Sequence, residues 1–338
     1  MSDEIFNIIY IPQTVDYQSL ALLSLLQNTD YSFRLIGNAL DAKEYALMQA
    51  ICDQSDRLEC MNFESQHIIP HGTIVNMLHG METSPLLCFM DSDVFIFEAL
   101  QQSPAELIGK HHVFSSGGRI ENDAEAIYAG FRGGAGTISP DGRIPLATTF
   151  FCIYQQQALQ TCLQKYSVGF EQYRLWEQIP SAAQTIIQQQ QLDFDMFDTS
   201  KLLSVLLHEM GYSKKYQPID GLVHIGGMSG RYLQDMNLNE AVLIHDKDVP
   251  TIDQSLSTDE QGHQVRTERD IAVKRLLGRY FYIYLNHLIG KSNKPQIVSD
   301  DAHINTTVQS LESNMAAVFE QALHDPTQSA IINLIKHT

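Results

Sequence analysis

The sequence predicts an α/β protein: a mostly parallel central sheet flanked by helices, followed by a helical C-terminal extension. Three observations carry this. From Phe6 to Leu100, short β-type runs alternate with helical patterns, as strands joined by crossover helices do. The run Leu86-Leu87-Cys88-Phe89-Met90 is apolar throughout, as expected of a strand buried on both faces. Beyond Asp270 the apolar spacing is helical, over Asp270 to Leu288 and again over Thr306 to Ala322.

The elements follow in order. Phe6 to Ile11 is the first strand, stopped by Pro12, and Asp16 to Gln27 is a helix with leucines at helical spacing and Asp16 available as a cap. Tyr31 to Ile36 is the second strand, Asp41 to Cys52 a helix that Asp41 can cap, and Leu58 to Phe63 a third strand. Gly72 to Met81 carries Ile74, Val75, Leu78 and Met81 on one helical face and leads into the central strand, which ends at Asp91. Glycine- and proline-rich stretches make loops and hairpins up to about Leu146. A strand over Thr148 to Tyr154 follows, then helices over Gln155 to Tyr166, Tyr173 to Gln191 and Ser200 to Met210. A short strand within Asp220 to Gly230 runs into a glycine turn. The organisation expected is a first domain over residues 1–235 and a mainly helical region over 236–338. The Asp-, Thr-, Ser- and Gln-rich stretch 246–264 reads as a mobile loop.

Composition narrows the function. The formal charge of −18 removes the electrostatic basis for nucleic-acid binding, and an anionic ligand would need local help from a cation or a helix N-terminus. The five cysteines are odd in number and contain no C-x-x-C, so neither a disulfide framework nor a zinc knuckle is legible. The acidic N-terminus is unlike a signal peptide and no apolar run is long enough to span a bilayer, so a cytoplasmic location is expected.

Asp91 and Asp93 flank Ser92 directly after the buried strand, at the carboxyl end of an open sheet, where ligands bind in α/β folds. Carboxylates two residues apart in extended chain point the same way, so both can face one hard cation and leave its remaining positions to phosphate oxygens. On its own, D-x-D also describes a turn or a helix cap. Farther on, His224-Ile225-Gly226-Gly227 places an imidazole before two residues without side chains. The imidazole is either a third ligand for a manganese-like cation or a structural hydrogen-bonder, and the glycines either admit a ligand or simply turn the chain. Asp198, just ahead of the helix at Ser200, is either a general base, kept ionised by that helix N-terminus, or a cap, a role open to Ser200 as well. Other motifs fail. His208-Glu209-Met210-Gly211-Tyr212 lacks the second histidine of a zincin, and Gly133-Gly134-Ala135-Gly136 is not a dinucleotide fingerprint.

The order of the strand Phe6 to Ile11, the helix leading into CFMDSDVFIF, the strand TTFFCIY, then FDT and HIGGMS resembles the GT-A glycosyltransferases, bacterial family 2 above all, over Phe6 to Arg231. The resemblance implies a Rossmann-like GT-A fold and an enzyme that moves a sugar from a nucleotide-diphosphate donor to a hydroxyl acceptor on a glycan, a lipid-linked sugar or a protein, with inversion. It implies a divalent cation, Mn2+ or Mg2+, held by Asp91, Asp93 and His224. Asp198 is then the base; Asp91, Ser92, Asp93, Gly226 and Gly227 contact the donor, and Pro12, Gln13 and Asn38 lie near its nucleobase. Family members often carry an acidic residue where this chain has Asn38, and an E-D pair where it has Phe197-Asp198. A second reading is a haloacid-dehalogenase-like phosphohydrolase, whose strand also ends in D-x-D. That family has Thr or Val two places after the second Asp, where this chain has Phe95, and it opens the fold with the motif. A third is a non-catalytic protein that binds nucleotide sugars.

Overall fold

The computed structural model describes residues 4–116, 131, 138–194, 196–228, 233, 238, 243–247, 249 and 260–337, with backbone alone at 243, 260–268 and 270. The first part runs β1 (Ile5–Tyr10), α1 (Val15–Asn28), β2 (Ser32–Asn38), α2 (Ala42–Cys52), β3 (Leu58–Phe63), α3 (His71–Met81), β4 (Leu86–Asp91) and β5 (Val94–Ile96). Next come α4 (Pro104–Ile108), β6 (Val113–Ser115), β7 (Phe151–Gln155), α5 (Gln156–Tyr166), α6 (Ser181–Gln189), α7 (Lys201–Glu209), β8 (Lys214–Tyr216) and β9 (Leu222–His224). The last part holds β10 (Leu243–His245), α8 (Glu260–Leu288), β11 (Gln296–Val298), α9 (Ala302–His324) and α10 (Pro326–Lys336).

The expected α/β arrangement is the one observed. A seven-stranded sheet runs β3-β2-β1-β4-β7-β6-β8. Strands β3, β2, β1 and β4 are mutually parallel, β7 is antiparallel to both its neighbours, and β8 pairs parallel with β6. The chain moves outward from β1 to β2 and β3, then crosses back to place β4 on the other side of β1. That reversal opens a crevice at the carboxyl ends of β1 and β4.

Alternation along β4 explains its apolar run. Leu87 and Phe89 face a core shared with α3, α5, α6 and α7, while Cys88 and Met90 face one shared with α1, and all four are at most 1% exposed. The second core extends without a break into α8, α9 and α10, so the C-terminal helices pack on the same face of the sheet as α1. Tyr17 of α1 meets Tyr282 of α8 edge-on at 4.9 Å, and Gln27 donates to the Val318 carbonyl of α9 at 2.9 Å.

Several local expectations are corrected. Helix α1 starts at Val15 after Thr14, and Asp16 accepts from the Tyr17 amide and pairs with Lys291 instead of capping. Asp41 does cap α2, accepting from the Glu44 amide. The single helix read over Tyr173 to Gln191 is interrupted: Pro180 has no N–H and disfavours helical backbone at Ile179, so the regular helix begins only at Ser181. The loop expected over 246–264 lies largely outside the described residues, but its last part, 260–264, is helix, because α8 begins ten residues before the expected start at Asp270. Helix α10 was not foreseen; Asp325 caps it and Pro326 occupies its first turn.

Candidate metal centre and its cleft

Strand β4 ends at Asp91, a two-residue turn follows, and β5 leaves the main sheet to pair with β9. The antiparallel register sets Val94 opposite His224. This pairing closes a separation of about 130 residues and brings the imidazole onto the turn. His224 Nε2 lies 3.2 Å from Asp91 Oδ2 and 3.2 Å from Asp93 Oδ1, and one ligand atom from each of the three residues falls within 4.8 Å of the others.

The surroundings hold these groups in place. Phe150 stacks on the His224 ring at 4.3 Å and 16°, and the Phe150 carbonyl accepts from the Asp91 amide at 3.1 Å. Asp93 Oδ2 accepts from the Met228 amide, and its backbone carbonyl accepts from Ile225. Asp93 is 4% and His224 8% exposed, whereas the Asp91 side chain is 31% exposed and opens to the cleft. Burial alone would raise the Asp93 carboxyl, yet the His224 ring, Lys274 and the Met228 amide hold it below its ordinary value. Burial likewise opposes charge on His224, but the two carboxylates outweigh it and raise its pKa.

Two carboxylates and an imidazole suit a divalent cation such as Mn2+ or Mg2+, and the shared approach of all three donors to one point is the geometry such an ion needs. A cation and an Nε2 proton compete for the same place between His224 and the carboxylates.

A cleft of about 390 Å³ opens beside this cluster. Asp91, Ser92, Asp93, His224 and Gly227 line one part of it, Ile9, Ile11, Asn38 and Ile69 another. Asn38 is buried with both ends of its amide committed, accepting from the Ile69 amide at 2.8 Å and donating to its carbonyl at 2.9 Å, so it clips the wall together. Pro12, Gln13 and Gly226 are not among the lining residues. Gln13 has φ +65° and donates its amide to the Glu44 carboxylate at the start of α2.

Asp198 is also absent from the lining. Its Oδ1 accepts from Gln172 Nε2 and from the Thr199 amide, each at 2.8 Å. Ser200 precedes α7 in a left-handed conformation and makes no side-chain cap. Neither residue therefore caps the helix in the ordinary way.

Three polar lining residues are not legible as site residues in the sequence. His71, first in α3, lies 3.8 Å from Asp91; Thr149 sits beside Phe150; and Lys274 reaches in from α8. Among the described residues, no helix is long and apolar enough to cross a membrane.

No known protein-family model matches the chain, and no curated protein does. Solved structures similar to it include the mannosyltransferase PcManGT from Pyrobaculum calidifontis in complex with GDP-Man and Mn2+, at 10% identity over 98% of this chain and 85% of that one, with a TM-score of 0.42. A structure of the galactosyltransferase LgtC with donor and acceptor sugar analogs is 9% identical over 78% of this chain and 83% of its own, with a TM-score of 0.37. The glycosyltransferase GlyE of Streptococcus pneumoniae is 9% identical, with a TM-score of 0.33; the match covers 64% of this chain but only 45% of that one. These three solved structures are glycosyltransferases.

Proposed function

We propose that this protein is a metal-dependent glycosyltransferase of the hexosyltransferase type that takes a nucleotide-diphosphate sugar as donor and a hydroxyl-bearing acceptor. The observation that carries the reading is the gathering of Asp91, Asp93 and His224 at the carboxyl ends of the parallel strands β1 and β4, where the strand order reverses, beside a cleft of the size that small ligands occupy. Residues 1–235 would form the donor-binding and catalytic unit, with 236–338 packed upon it.

Asp91, Asp93 and His224 would hold Mn2+ or Mg2+. When bound, the cation supplies charge neutralisation for the departing diphosphate. Ser92 and Gly227 bring backbone close to the donor, and Ile9, Ile11 and Ile69 offer an apolar wall to a nucleobase. Asp198 would take the proton from the acceptor hydroxyl, with Gln172 fixing the carboxylate, and attack from the face opposite the leaving group would invert the anomeric centre. The phosphohydrolase alternative fits less well, because its second aspartate must act on a substrate while Asp93 is buried and engaged by His224 and Met228.

Thermal unfolding with a panel of nucleoside diphosphates, with and without Mn2+, tests this reading. Stabilisation by one diphosphate that depends on Mn2+ is expected. Hydrolysis of simple phosphate esters without such stabilisation would favour the phosphohydrolase, and silence in both assays would contradict the proposal.

A further inference from the structure

The turn that follows β9 is shaped by helix α8. Gly226 and Gly227 have φ of +71° and +75°, a region that side chains resist. A Cβ on Gly226 would meet Lys274 Cε at 2.5 Å and Nζ at 3.1 Å, and a Cβ on Gly278 would meet the Gly226 carbonyl oxygen at 3.0 Å. Lys274 and Gly278 are i and i+4, on one face of α8. Gly278 therefore lets the helix backbone come down onto the glycine turn. Lys274, one turn earlier, lies along that turn into the cleft.

Charge gives this contact a purpose. Two carboxylates and a divalent cation sum to zero, whereas a diphosphate brings further negative charge into a protein already at −18. Lys274 is the one Lys or Arg among the described residues that line the cleft, and it is close enough to Asp93 for its charge to act there.

We propose that α8 is part of the ligand site and that Lys274 binds the diphosphate of the nucleotide ligand, beside the cation held by Asp91, Asp93 and His224. The proposal rests on the nucleotide reading above and gives the C-terminal helical region a place in it: the region carries the one Lys or Arg that the described residues bring to the cleft.

The test uses the full chain and three variants, Lys274→Gln, Lys274→Arg and Gly278→Leu. Titration calorimetry measures Mn2+ alone, then the nucleoside mono- and diphosphate of the preferred base in excess Mn2+. Lys274→Gln is expected to lose about 10-fold or more of diphosphate affinity, the scale of a charge-assisted hydrogen bond, and less of monophosphate affinity, while Mn2+ still binds. Lys274→Arg keeps the preference for the diphosphate. Gly278→Leu, with Lys274 intact but its helix displaced, moves in the same direction as Lys274→Gln. Diphosphate binding by Lys274→Gln equal to wild type overturns the assignment. So does an equal loss for mono- and diphosphate, which would make Lys274 a mere counter-ion of Asp93. Wild-type protein that binds no nucleoside diphosphate in Mn2+ removes the nucleotide reading itself, and this proposal with it.

Discussion

The turn at Asp91–Asp93 and the segment at Asp198 are both acidic stretches beside a regular element, and they differ in what the rest of the chain does with them. At the turn, the chain supplies distant partners: His224 arrives through the β5–β9 pairing, Phe150 stacks behind it, and the Met228 amide takes one oxygen of Asp93. At Asp198 the partners are a neighbouring amide and a glutamine, and the carboxylate lies outside the lining of the cleft. A convergent cluster of charges, two of them buried, is costly unless a ligand or counter-charge repays it, so it points to function more strongly than a half-buried carboxylate with local hydrogen bonds.

The largest expected effect breaks the first region. Asp93→Asn keeps an oxygen for the Met228 amide but removes the charge, and Mn2+-dependent stabilisation by nucleoside diphosphate should vanish. Loss of a direct ligand should exceed the 10–100-fold typical of residues that only orient ligands. Unfolding midpoints measured with and without Mn2+ and the nucleotide check it; undiminished stabilisation would dissolve the contrast between the two regions.

Asp198 is open to the converse change. Asp198→Asn retains an acceptor for Gln172 and Thr199, so the fold should persist with little change in stability, within about 0.5 kcal/mol. If Asp198 is the base, turnover falls about 10²–10⁴-fold while donor affinity holds. Steady-state kinetics with NMR of the product's anomeric configuration decides it. Normal turnover, or a retained configuration, would leave Asp198 a local structural residue.

Much of this was legible in the sequence, for physical reasons that also mark where legibility ends. Short β-type runs alternating with helical patterns make β1 to β4 and their helices readable, and the continuously apolar buried strand makes Asp91 and Asp93 stand out. His224 was visible as a residue type beside glycines, but its partner across the β5–β9 ladder is a long-range pairing that a single sequence does not display. The two glycines read either as room for a ligand or as a simple turn; at Gly226 the close neighbour is Lys274. His71 and Lys274 escaped notice because each enters the cleft from a helix whose docking is decided by cores elsewhere, although the Lys274–Gly278 spacing was a usable signal. Pro180 was a readable stop that the apolar spacing of Tyr173 to Gln191 masked.

The smallest effect concerns Lys214 of β8, the strand at the end of the seven-stranded sheet. Burial, with the Lys201 ammonium nearby, pushes the Lys214 amine down to about 7, while its Nζ donates to the Pro145 carbonyl at 2.7 Å and to that of Ser204. Unfolded chain keeps the proton up to about 10.4, so between these values the unfolded state binds more protons and stability rises with pH. Lys214→Met lacks this titration. The wild type should therefore gain stability relative to the variant as pH rises through and above 7, measured by urea unfolding at several pH values. A stability difference independent of pH would show that Lys214 keeps its ordinary pKa.

On the glycosyltransferase reading, Asp91, Asp93 and His224 together hold one divalent cation. Pulsed electron paramagnetic resonance of Mn2+ bound to the full chain tests it most directly, because a coordinated imidazole couples its nitrogen to the manganese spin. One bound Mn2+ with a nitrogen coupling that disappears in His224→Gln is the result expected. A single Mn2+ without nitrogen coupling, or a coupling that survives His224→Gln, would contradict it.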